Sequence, residues 1–172
     1  MHGSVLYPLN ELKKTLPAVY QIQSKKYEGR EWLFEKRISI LNCLWNDVLH
    51  FSPIHPQIIL DTWRKEGLYK DSETGEKEIS AFKVPSELIS DTSTVCFQSF
   101  NFDISSYDPK RDKFWAYESA SYREQVEVHT DQIKIWVSDQ ANGRRLFWFS
   151  HTMHILAKQA LDITSCEIVT AN

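Results

Sequence analysis

The sequence predicts a single α+β domain, 1–172, in which N-terminal helices pack on a mostly antiparallel sheet from the C-terminal half. In residues 1–68 the apolar residues mainly follow helical spacing. Residues 79–170 consist mainly of predicted strands with one late helix. The 172 residues are enough for one domain with a substantial core, and the apolar content of 42% is that of a globular protein.

Two helices are predicted in the first fifty residues. The first has one apolar face, which Pro17 interrupts or kinks, made of Leu9, Leu12, Leu16, Val19 and Tyr20. The second spans Gly29 to Phe51, and its inward residues are Trp32, Leu33, Ile38, Leu41 and Trp45. Pro53 and Pro56 then exclude a regular helix over 52–56.

A third helix is predicted to begin at Pro56, because proline suits the first position of a helix. It directs Ile59, Leu60 and Trp63 inward and ends near Gly67. The charged residues 70–78 that follow predict a solvated loop or a hairpin tip.

Alternating apolar residues indicate strands in the next part of the chain. A strand is predicted over 79–84 and a helical turn over 85–88. Residues 95–104 alternate over ten positions and predict a longer strand. A polar loop over 105–113 and a short strand over 114–117 complete this part.

Residues 130–149 allow two predictions. The preferred one is a hairpin that pairs 133–137 with 146–149 around Asn142-Gly143, since Asn-Gly favours a type I′ turn. The competing one makes Thr130 the N-cap of a helix over 131–141.

A last helix and a last strand are predicted near the C-terminal end of the sequence. The helix is indicated by five apolar positions, Met153, Leu156, Ala157, Ala160 and Leu161. The strand covers Asp162 to Val169.

The segment from Leu41 to His50 has the composition most typical of a functional site. Its apolar residues follow helical spacing, at Leu41, Leu44, Trp45, Val48 and Leu49. The opposite face holds only short side chains, Asn42, Cys43, Asn46, Asp47 and His50. Asn, Asp and His are poor helix formers, so their use in place of long charged residues predicts a partly enclosed polar pocket.

In such a helix Asp47 and Asn46 both reach His50. We expect Asp47 to orient His50, His50 to transfer a proton, and Asn42, Asn46 and His55 to bind a polar small molecule. The alternative is that these residues tie the helix end to the turn at 52–56, with His50 capping the last carbonyl groups.

His151 and His154 are the second candidate group. Three positions apart on a helix, they share a face and can bind one metal ion, or they can complete a site together with Asp47, His50 or His55. A third metal ligand is not evident and the sequence contains no HExxH, so it defines neither a metal nor a cofactor. The alternative is two surface or capping histidines.

Charge and motifs argue against several classes of protein. The net charge of −3 gives no general attraction to nucleic acid, and no phosphate-binding glycine loop or G-x-S-x-G motif occurs. Three cysteines without close spacing do not suggest a disulfide framework. Without a signal sequence or a long apolar run, the expectation is a cytoplasmic protein that makes no membrane contact.

Two classes of function therefore follow from the sequence. The first is a small cytosolic enzyme or ligand-binding domain with a His/Asp/Asn pocket for a polar small molecule. The second is a non-catalytic interaction module, in which some of the 6 Trp and 7 Tyr residues are exposed and contact a protein partner or a second copy in a homodimer.

Overall fold

The computed structural model describes residues 3–68, 79–99, 112–120, 126–144, 146, 148–149 and 151–172. The α-helices in this part of the chain are α1 Leu9–Thr15, α2 Pro17–Ser24, α3 Pro56–Lys65 and α4 Thr130–Ala141. The strands are β1 Val5–Leu6, β2 Arg37–Ile38, β3 Cys43–Leu44, β4 Leu49–Phe51, β5 Ile79–Lys83, β6 Thr94–Ser99, β7 Asp112–Ala116, β8 His154–Ala157, β9 Leu161–Asp162 and β10 Glu167–Ala171. The predicted loop at 70–78, most of the one at 105–113, and the end of the strand predicted over 95–104 lie outside the described residues.

Four strands form one antiparallel sheet in the order β4-β8-β6-β7. In the register, Leu156 of β8 lies between His50 of β4 and Val95 of β6. The pairs β1–β9, β2–β3 and β5–β10 form separate two-stranded antiparallel ribbons. The α+β class is confirmed, but strands also come from the first fifty residues, where the sequence predicted helices.

Both faces of the central strands are buried, because apolar side chains pack on each side of the sheet. One face contributes to a cluster of Ile38, Cys43, Val48, Val95, Phe97 and Leu156. The other contributes to a cluster of Ile89, Cys96, Tyr117, Met153, Ile155 and Ala157. A third cluster joins α3 to α4 through Trp63 and Trp136, whose rings lie 5.6 Å apart.

The helices bounded by proline were predicted correctly. Pro17 ends the first apolar helix and occupies the first turn of α2, where its missing N–H leaves no hydrogen bond unmade. Pro56 likewise occupies the first turn of α3, and this helix buries Ile59, Leu60 and Trp63 as expected. The starts of α2 and α3 were predictable because proline restricts the backbone at its own position.

The helix predicted over Gly29 to Phe51 is wrong. The segment consists of short 3₁₀ turns and two-to-three-residue strands, and Asn42 adopts a left-handed conformation with φ 46°. A left-handed residue cannot continue a right-handed helix. The low helix propensity of residues 42–50 therefore indicated the absence of a helix and not a special helix face.

We expect Asn42→Val to lower the free energy of unfolding by about 1–2 kcal/mol, since a β-branched residue is strained at positive φ. Asn42→Gly is the matched control and is expected to be close to neutral, because glycine adopts this conformation without strain. Urea denaturation measures both. Equal stability of the two variants would contradict a left-handed residue here.

The hairpin preferred for residues 133–149 is also wrong, and the competing helix is correct. Asn142-Gly143 ends α4, and Gly143 has the positive φ of 67° that such helix ends favour. The N-cap is His129 in place of Thr130, since the Nδ1 atom of His129 accepts a hydrogen bond from the Asp131 N–H.

The last predicted helix is replaced by strands β8 and β9. The run Ile155, Leu156 and Ala157 is buried on both faces of the sheet, and such a strand has no alternation that distinguishes it from a buried helix. The last strand is β10, Glu167–Ala171, which begins later than predicted.

Candidate functional site

A cleft of about 710 Å³ separates one face of the β5–β10 ribbon from β4 and β8. The ribbon face contributes Ala81, Lys83, Glu167 and Val169, which the antiparallel register places side by side. The opposite wall includes His50, Phe51, His154 and Ile155, and the turn that leads into α3 contributes His55. The volume lies within the roughly 300–1,000 Å³ of small-molecule sites, which are mostly apolar with a few polar groups.

Two of the predicted histidines meet at this cleft. The rings of His50 and His154 lie 5.9 Å apart in an edge-to-face arrangement. Trp45 contacts the pair, at 4.6 Å from the His50 ring and 6.4 Å from the His154 ring. The pairing of β4 with β8 produces this arrangement, although about one hundred residues separate the two strands in sequence.

The His50 imidazole is neutral at pH 7. Its Nε2 atom lies 3.0 Å from the Trp45 carbonyl oxygen. Desolvation lowers the pKa of His50 to about 4, against the hydrogen bond to Trp45, which raises it, and the charges of Lys26 and Lys36 lower it further. The His50 side chain is exposed where it opens onto the cleft. The concave walls of the cleft still surround the ring with protein, and this explains how an exposed histidine can have a pKa lowered by desolvation.

His154 is also neutral at pH 7. Desolvation lowers its pKa to about 3, and the neighbouring His50, His151 and Lys36 act in the same direction. A hydrogen bond with the Phe149 backbone opposes these effects. The cleft therefore presents two uncharged imidazoles at one end.

Asp47 does not orient His50, contrary to the arrangement expected on a helix. Its Oδ1 atom accepts a hydrogen bond from the Asn10 side chain at 2.8 Å, and its Oδ2 atom accepts one from the Leu44 N–H at 2.7 Å. Both oxygens therefore hold the N-terminal part of the fold together. This part of the predicted polar pocket is not formed.

The two asparagines lie away from the cleft lining. Asn42 is exposed, and its Oδ1 atom accepts a hydrogen bond from Arg37 at 3.3 Å. Asn46 is buried, with its Nδ2 atom 3.5 Å from the Leu33 carbonyl oxygen. Neither side chain contributes to the cleft.

His55 and His151 have structural contacts of their own. His55 lines the cleft and is the N-cap of α3, since its Nδ1 atom accepts a hydrogen bond from the Gln57 N–H. His151 is buried and does not line the cleft, has a positive φ of 63°, and places its Nε2 atom 3.8 Å from Asp139. Desolvation lowers the pKa of His151, and the Asp139 carboxylate opposes this.

Sequence reasoning missed Lys36. Its ammonium group lies 4.5 Å from the centre of the Trp45 ring and 5.6 Å from those of Trp32 and Phe97. Trp45 and Phe97 also contact the histidine pair, so a positive charge lies directly behind this end of the cleft. A lysine among charged residues 25–37 carries no local signal that it will be enclosed.

No group of three His, Cys, Asp or Glu side chains able to hold a metal ion occurs within the described ranges. His151 and His154 do not share a helix face, because they lie in a loop and a strand. Comparisons with protein-family models, curated proteins and solved structures gave no match to this chain. In the part of the chain that the structure describes, no helix has the length and apolar character to cross a membrane.

Proposed function

We propose that the protein binds a small molecule in the cleft between the β5–β10 ribbon and strands β4 and β8. The observation that carries the proposal is the histidine pair at one end of a largely apolar cleft. A ligand that fits this lining has an apolar body and one polar group that bonds to the imidazoles. This ligand is amphipathic, whereas the sequence alone predicted a polar one.

Binding fits these histidines better than proton transfer does. A general base is most effective when its pKa lies near the working pH. The pKa of His50 is about 4 and that of His154 about 3, so both are weak bases at pH 7. The carboxylate expected to orient His50, that of Asp47, is engaged elsewhere. We therefore propose ligand binding in preference to catalysis as the function of this cleft.

The interaction module remains the second prediction, with less support. Trp63 and Trp136 are buried, and among the described tryptophans only Trp115, at 39%, belongs to the exposed large hydrophobic residues. Among the described residues, Trp115 on the outer strand β7 is therefore the tryptophan placed to contact a partner or a second copy.

Ligand binding in the cleft is tested by filling the cleft with a bulky side chain. A neutral dye whose fluorescence rises in apolar surroundings is expected to bind the wild-type protein saturably. Ala81→Trp, on the cleft face of β5, is expected to weaken dye binding by about tenfold or more, since the indole occupies the ligand volume. Ser80→Trp is the matched control, because Ser80 is exposed, adjacent in the strand and outside the cleft.

Ser80→Trp is expected to change the dye affinity by less than about twofold. Circular dichroism establishes that both variants are folded. Equal dye binding by wild type and Ala81→Trp would contradict the proposal.

A further inference from the structure

We infer that the ligand is a carboxylic acid with an apolar tail, whose carboxyl group binds at the histidine end of the cleft and hydrogen-bonds to His50 or His154. This inference rests on the proposed function and assigns the chemical class of the ligand. Three features of the described residues carry it: the hydrogen-bonding state of the two imidazoles, the sign of the charges around them, and the apolar lining of the rest of the cleft.

The first feature is that both imidazoles lack a hydrogen-bond donor for a ligand. The Nε2 atom of His50 contacts a carbonyl oxygen, which can only accept, so Nε2 carries the proton and Nδ1 keeps its lone pair. The ring of His154 is likewise engaged with the backbone of Phe149. The neutral pair therefore offers lone pairs, and a ligand that brings one proton satisfies one of them.

The second feature is a positive environment. The charged groups that act on His50 are Lys26 and Lys36, and Lys36 also acts on His154. No acidic side chain among the described residues acts on either imidazole, since Asp112 acts on Lys36 and Asp139 on His151. This environment disfavours a cationic ligand and favours an anionic headgroup.

The remaining ionisable groups of the cleft lie on other walls. Lys83 and Glu167 are partners in the β5–β10 register, with opposite charges, and His55 caps α3. Tyr117 donates a hydrogen bond from its hydroxyl to the Ser86 carbonyl oxygen. Among the described residues, Lys26 and Lys36 are therefore the charged side chains that act on His50, and Asp112 acts in turn on Lys36.

A carboxylic acid satisfies both features at once. At pH 7 the free ligand is a carboxylate, and binding takes up one proton from solvent, which then lies between a carboxylate oxygen and a nitrogen of one of the two imidazoles. The bound pair is neutral overall, whether written as acid and imidazole or as carboxylate and imidazolium. Binding is therefore coupled to proton uptake, without any covalent step.

The test compares three ligands with the same tail and different headgroups: dodecanoate, dodecanol and dodecyltrimethylammonium, each below its micelle concentration. Isothermal titration at pH 7 in two buffers of different ionisation enthalpy measures affinity and proton uptake. We expect dodecanoate to bind at least about tenfold more tightly than the ammonium compound, with uptake of about one proton. Its affinity is expected to fall by up to about tenfold per unit as the pH rises from 7 to 8, whereas that of dodecanol stays constant.

The double variant His50→Gln/His154→Gln is expected to abolish the proton uptake that accompanies dodecanoate binding, because an amide has no titratable nitrogen. His129→Asn is the control, since it replaces an imidazole outside the cleft lining and retains a good N-cap residue for α4. The comparison of the three ligands on the wild-type protein decides the matter even where a variant fails to fold. Equal binding of dodecanoate and the ammonium compound, or binding without proton uptake, overturns the inference while dodecanol binding upholds the proposed function. Failure of all three ligands and of the neutral dye overturns both.

Discussion

Trp136→Ala is expected to lower the free energy of unfolding by about 3–5 kcal/mol, which is the range for removing a buried aromatic side chain. Trp136 has 0% of its surface exposed and packs edge-to-face on Trp63, which in turn stacks on Trp148 at 4.7 Å. The indole therefore links α4 to α3, and its loss leaves a cavity between them. Urea denaturation at constant m-value measures the change.

Val137→Ala is the matched control, because it lies next to Trp136 on the same helix and is 43% exposed. We expect a change within about 0.5 kcal/mol, since alanine is a better helix former than valine. A loss of less than about 1 kcal/mol for Trp136→Ala would contradict its position at the centre of this cluster.

Acid is expected to destabilise the fold through the histidines of the cleft. In the unfolded chain a histidine titrates near pH 6.5, whereas the folded pKa is about 4 for His50 and about 3 for His154. Above pH 6.5 both states are neutral and stability is full. As the pH falls below 6.5 the unfolded chain takes up protons first, so stability decreases until the pH passes the folded values.

For His154 the upper value of this loss is about 5 kcal/mol, at about 1.4 kcal/mol for each pKa unit. His50 adds a smaller amount, because it is open to the cleft and solvent screens its charge. His154→Gln is expected to flatten the decrease in stability between pH 6.5 and 4. Ile155→Val, in the same strand, is the control and should lower stability at every pH without changing the slope. Equal slopes for wild type and His154→Gln would contradict a neutral His154 in the folded protein.

The fold was predictable where a residue acts through its own geometry. Pro17 and Pro56 set the starts of α2 and α3, and the spacing of Ile59 and Trp63 showed the buried face of α3. The prediction failed where pairing between strands that are distant in sequence determines the structure. Residues 154–157 form the strand β8 only because β4 and β6 lie on either side, and neither neighbour is visible in the local sequence.

The candidate site shows the same division. His50 and His154 were both selected as unusual, but their contact depends on the β4–β8 register. Asp47 was assigned to His50 because a helix would place the two side chains together, and the absence of that helix removes the pair. Lys36 was missed because its enclosure by aromatic rings arises only on folding.

The pairing of β4 with β8 also bears on how the chain folds. Residues 49–51 of β4 must pair with residues 155–157 of β8, although a long stretch of chain separates them in sequence. Only then does β8 have a neighbouring strand on both sides. Closing so long a loop costs entropy before any contact repays it, and proteins dominated by such pairings fold in milliseconds to seconds. A probe that binds the proposed cleft is expected to bind only after β4 and β8 have paired, so its uptake after dilution from denaturant follows the formation of this pairing.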